Sequence, residues 1–168
     1  MKKLFLYVVM LLVAPVITAQ PVLKTMKRLP DTGENTSYTS TFGEDNDYTI
    51  NAPFFSILPS GVVVDTVTGL MWQQVDGGEM TIDKALVYCD TLSLAGFTNW
   101  RLPSAHEAFS ILNHQYANPS LLTSVFPVSA AEYWWSADRQ YNDTNKIWAT
   151  NAGGGIGNHL RTETISAG

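Results

Sequence analysis

One cysteine, Cys89, is the only thiol in this 168-residue chain, so no disulfide can form within it. An odd cysteine suggests a free thiol, an intermolecular bond or a missing partner; the alternative is a small buried apolar side chain. Basic residues are also few, ten Lys and Arg against fifteen Asp and Glu, for a formal net charge of -5. That balance argues against nucleic acid as a partner, because duplex binding needs clustered cations. After the first nineteen residues no apolar run is long enough to cross a bilayer. Metal-site spacing is missing too. His106 and His114 stand eight apart, no third ligand is placed by sequence, and His159 is remote. There is no G-x-S-x-G elbow, and Gly153–Gly157 is followed by neither a Lys-Ser/Thr pair nor a helix start. The expectation is a chain that is not an enzyme and holds no metal or cofactor.

The length suits one domain, and a hydrophobic fraction of 45% is ordinary for a globular protein. Residues 1–19 read as a secretory signal: Lys2 and Lys3, the apolar run Leu4 to Val13, then Thr18-Ala19 before Gln20. A retained N-terminal anchor is the alternative. Residues 20–60 read as an extended polar leader. Pro30-Asp31-Thr32-Gly33 is turn chemistry, and Phe54-Phe55-Ser56-Ile57-Leu58 offers apolar side chains to dock it.

The compact domain is expected over 61–168. Val62 to Val67 is a β-branched strand, Thr68-Gly69 a turn, and Leu70 to Gln74 its antiparallel mate. A helix runs from Ile82 to Leu92, capped by Thr81, with Ile82, Ala85, Leu86, Cys89 and Leu92 inward. Ser104 and Glu107 form a capping box that starts a second helix over Ala105–Gln115, with Ala108, Phe109 and Leu112 inward. Leu121 to Val128 is a loop with apolar anchors. Strands follow at Tyr133–Ala137 and Lys146–Thr150, and His159-Leu160-Arg161 starts another.

Several stretches fall in a telling order: Val64-Asp65-Thr66-Val67-Thr68-Gly69-Leu70-Met71-Trp72, Ala95-Gly96-Phe97-Thr98-Asn99-Trp100-Arg101-Leu102-Pro103, Phe126-Pro127, Tyr133-Trp134-Trp135-Ser136 and Ile147-Trp148. Together they resemble the C-terminal domain of the Legionella collagen-like protein, a family long described as a domain of unknown function. The resemblance implies an α+β, C-type lectin-like fold: two helices on a small twisted antiparallel sheet, with a long loop region. It implies a secreted, periplasmic or cell-surface bacterial protein. Family domains usually close with a strand bearing an Arg-Cys-Val-Arg-like motif, whose cysteine would be a mate for Cys89. No such motif occurs here, so the expectation is either a chain truncated near Gly168 or a sheet that lacks its last strand.

The resemblance points to a non-catalytic binding or adhesion module for glycans, including sulfated polysaccharide, or to a structural or protein-interaction domain of a surface appendage or envelope assembly. A formylglycine-generating type of enzyme is opposed by the single cysteine. Trp72, Trp100, Trp135 and Trp148 are expected to fill the core, with Cys89 and Pro103 structural and Arg101 paired to an acid or to buried carbonyls. Adjacent strand residues face opposite ways, so an inward Trp135 turns Trp134 outward. The candidate sugar surface is Trp134, Arg139, Tyr141, Asn142, Asp143 and Asn145, with Asn151 and Asn158. A solvated hairpin has the same composition. Arg139, Lys146, Arg161 and His159 form the expected basic patch for sulfate.

Overall fold

A computed structural model of the chain describes residues 25–127 and 132–167. The signal segment 1–19 and Val128 lie outside the described residues. Strands β1 (Phe55–Leu58), β2 (Val62–Asp65) and β3 (Met71–Gln73) form one antiparallel sheet in the order β1-β2-β3. The β2–β3 connection is closed by Asp65, whose Oδ1 accepts the Val67 and Thr68 N–H groups at 2.9 and 3.1 Å. Gly69, at φ +76°, supplies the left-handed residue this turn needs.

The segment before Gly61 is tied to this frame. Phe55–Leu58 pairs with β2 in register Phe55↔Asp65 to Leu58↔Val62. Upstream, Lys27 N–H donates to the Thr68 carbonyl at 2.8 Å, and Met26 packs against the core cluster that includes Leu70 and Trp72. Asp31 Oδ2 accepts the Ile50 and Asn51 N–H groups, which turns the polar excursion back on itself. The sequence reading of a docking patch at 54–58 thus corresponds to a strand.

A second, five-stranded sheet runs in the order β4-β8-β5-β6-β7: β4 (Glu79–Met80), β5 (Tyr133–Arg139), β6 (Lys146–Asn151), β7 (Ile156–Leu160) and β8 (Ile165–Ser166). The closing strand was not expected; it is short and lies between β4 and β5, antiparallel to the former and parallel to the latter. Among the described residues the molecule is therefore α+β, but with two sheets rather than one and with one parallel pairing.

Helix α1 (Ile82–Thr91) buries Ile82, Ala85 and Cys89 against Leu102, Trp135, Ile147 and Ala167. Leu86, expected inward, is exposed, because only the stripe through 82, 85 and 89 meets the sheet. Thr81 occupies the N-cap position without a side-chain cap bond. Helix α2 is Ala105–Ser110, well short of Gln115. Its box is as read: Glu107 N–H donates to Ser104 Oγ at 3.1 Å, and Ser104 N–H to Glu107 Oε2 at 2.8 Å. The helix stops because later donors find other acceptors. Asn113 N–H goes to the Ser120 carbonyl and His114 N–H to that of Thr32. Tyr116 is left exposed.

Trp135 and Trp134 face opposite sides of β5, as alternation requires. Trp135 is fully buried beside α1, its Nε1 donating to the Met80 carbonyl at 2.7 Å. Trp134 packs against the second core of Val63, Leu70, Trp72, Leu112, Leu121 and Phe126, which joins the two sheets.

Candidate functional site

The Trp100-Arg101-Leu102-Pro103 stretch builds a scaffold rather than a reactive centre. Arg101 donates to both Glu107 oxygens, at 2.8 and 2.7 Å, and to the Leu102 carbonyl at 3.0 Å. Burial would raise the Glu107 pKa, but the bonds from Arg101 and Ser104 outweigh it and hold the carboxyl below its ordinary value. The Pro103 carbonyl accepts Ala137 N–H and fixes α2 against β5. Trp72 is buried as expected. Trp100 and Trp148 are only half-buried. The Trp100 ring caps Phe97 edge-on and donates to its carbonyl, while Trp148 sits beside exposed Asn158 of the edge strand β7. Cys89 is buried, and that burial pushes its thiol up to about 11.

The expected sugar surface is dispersed. Trp134 is half-buried and its Nε1 reaches Asp76 at 3.3 Å, so it does not join the hairpin. Arg139 pairs in register with buried Ile147 and so lies on the α1 side of the sheet. Tyr141 is fully exposed at the hairpin tip. The neighbouring amides and acid serve the turn: Gln140 Nε2 donates to Asn142 Oδ1, and Asn145 N–H to Asp143 Oδ1. Asn151 Oδ1 accepts Gly153 N–H in the next turn. The basic patch is half neutralised. Arg161 binds Asp83, whose carboxyl that hydrogen bond lowers in pKa, and His159 Nδ1 lies 2.7 Å from Glu163 Oε2.

The structure brings together a different set. Where β5 begins and β7 ends, the 162–166 return leaves an open groove of about 640 Å³ lined by Glu79, Glu132, Tyr133, His159, Glu163 and hydroxyl-bearing Thr162 and Thr164. Its floor is aromatic: Tyr133 and His159 meet edge to face at 4.2 Å, and His159 also abuts Trp135 at 6.4 Å. Three carboxylates, the hydroxyls of Tyr133, Thr162, Thr164 and Ser166, and an imidazole supply hydrogen-bonding chemistry. The sequence signal for it was the His159–Glu163 spacing and the polar Thr162-Glu163-Thr164 run after a strand. Glu79, Glu132 and Glu163 lay outside every element read from the sequence.

A model of the Lcl C-terminal domain matches residues 61–166. The chain belongs to the Lcl C-terminal domain family. No curated protein and no solved structure matches it. Within the Lcl C-terminal domain the matched span begins just before β2 and ends with β8, so it contains both helices and all the residues that line the groove. The β1 strand precedes the match yet completes the smaller sheet of the domain. Among the described residues no group of three or more His, Cys, Asp or Glu has metal-holding geometry. No helix there is long and apolar enough to cross a membrane.

Proposed function

We propose that this chain is a secreted or cell-surface, non-catalytic binding module that recognises glycans through the groove of its last third. The reading rests on the groove itself. A Tyr133–His159 aromatic floor beside Glu79, Glu132 and Glu163 offers a ring to stack on a sugar face and acceptors for its hydroxyls. Its volume falls in the range of about 300–1,000 Å³ usual for small-ligand sites. Family membership and the Lys2-Lys3 apolar start support a location outside the cytoplasm. The loop-rich connection between α2 and β5, lying beside the sheet, supports a C-type lectin-like variant of the α+β fold. Fold alone does not fix ligand, so the groove chemistry carries the choice. Three carboxylates repel sulfate; the glycan is neutral or amino-bearing.

The test is an array of neutral, amino-bearing and sulfated glycans probed with the chain from residue 20. Neutral or amino sugars should bind, and Glu163→Gln should weaken them about tenfold, the loss of one charged acceptor. A folded chain that binds no sugar refutes the reading. Binding confined to sulfated glycans and unchanged in Glu163→Gln refutes the groove as the site.

A further inference from the structure

A second surface stands apart from the groove, in the segment before the matched domain. Five large apolar side chains crowd residues 38–54: Tyr38, Phe42, Tyr48, Ile50 and Phe54, each between 51% and 79% exposed. Scattered exposed apolar groups are ordinary, but five within seventeen residues, two of them in ring contact, make a candidate interaction surface. Phe42 and Tyr48 meet edge to face at 5.3 Å, so at least two of the rings form one patch.

The loop that carries them is held in shape. Asp47 Oδ2 accepts the Gly43 and Glu44 N–H groups at 2.7 and 3.0 Å, and Glu44 accepts Tyr38 N–H at 2.6 Å. Thr32 Oγ1 donates to Asp45. The base of the loop is anchored to the domain, since Asn35 N–H and Thr36 both bond Gln115. Aromatic groups on a preorganised loop bind at low entropic cost, as at interface hot spots.

Charge identifies the occupant. The acids anchoring this loop are Asp31, Glu34, Glu44, Asp45 and Asp47, and no Lys or Arg occurs between Arg28 and Lys84. Exposed rings among carboxylates attract guanidinium and ammonium groups by charge and through the ring face. We propose that the 38–54 loop docks a polypeptide surface that presents Arg or Lys beside apolar side chains. A second copy of the chain is the weaker occupant, because each copy carries a net charge of -5. The proposal is independent of glycan binding.

The full chain, immobilised, is used to select from a random peptide library displayed on phage, with sedimentation of the free chain alongside. Enriched peptides should pair Arg or Lys with Leu, Phe or Trp, bind more weakly as salt rises, and lose at least tenfold in affinity to a Phe42→Ser/Tyr48→Ser variant of unchanged melting temperature. Ile50→Ser, outside that ring pair, should weaken the same peptides. No enrichment, enrichment of peptides without basic residues, or affinity unchanged in these variants overturns the proposal. So does a dimer of the free chain that the double variant dissolves, since it assigns the loop to a second copy.

Discussion

Removing the Glu107 carboxylate tests whether the Trp-Arg-Leu-Pro stretch is a structural keystone. Glu107 is 5% exposed and accepts three hydrogen bonds, two from Arg101 and one from Ser104 N–H. In Glu107→Ala the capping half of the loss costs about 0.5–1 kcal/mol. The Arg101 half is smaller than for a fully buried pair, because the Arg101 side chain is 39% exposed and regains water. A discounted value of about 1–2 kcal/mol is reasonable there. The total of about 1.5–3 kcal/mol lowers the melting temperature by about 3–12 °C for a chain of this size. Glu107→Gln keeps the shape and one acceptor, so about half that shift is expected. The pH dependence has a definite sign. The folded-state pKa of Glu107 lies below the ordinary value of 4.5. Its stabilisation is therefore complete above about pH 4.5 and is lost as pH falls through the lower folded value. Melting curves of the parent and both variants, recorded at neutral pH and in steps toward pH 3, measure this. Shifts under about 1 °C at neutral pH, or a parent–Gln gap that stays constant to pH 3, would refute the reasoning.

Two further outcomes are expected. Cys89, with its pKa at about 11, is thiolate to only about 0.1% at pH 8, against about a quarter for a free thiol. Disulfide-exchange labelling in the native protein should therefore run at least a hundredfold slower than in denaturant; equal rates would place Cys89 at the surface. Gly33 sits at φ +81°, and a Cβ there would overlap the Asn113 side chain. Gly33→Ala should cost about 1–3 kcal/mol and speed proteolysis within 30–50, and unchanged cleavage there would mean that this segment is not anchored.

What was legible in the sequence was local. The Ser104–Glu107 box, the Thr68-Gly69 turn and the opposed Trp134 and Trp135 follow from caps, turn chemistry and strand alternation within a few residues. The length of α2 was not legible. Residues 111–115 have helical character, yet the Asn113 and His114 N–H groups go to Ser120 and Thr32, partners that only the tertiary fold supplies. The candidate site failed for a related reason. Polar hairpin residues such as Asn142 and Asp143 advertise ligand chemistry but serve their own turn. Glu79, Glu132 and Glu163 are far apart in sequence and meet only because β8 returns between β4 and β5.

That return has a consequence for synthesis. β4 reaches the rest of its sheet only through β8, with Gly77 N–H bonded to the Ala167 carbonyl and Ala167 N–H to that of Gly78. Ala167 itself is 1% exposed in the core beside α1. A nascent chain still holding residues 165–167 in the ribosome has no means of joining β4 to β5, however long it waits. The larger sheet is therefore completed only once residues 165–167 have emerged, by the most sequence-distant pairing it contains, and the growing chain stays unlocked until then.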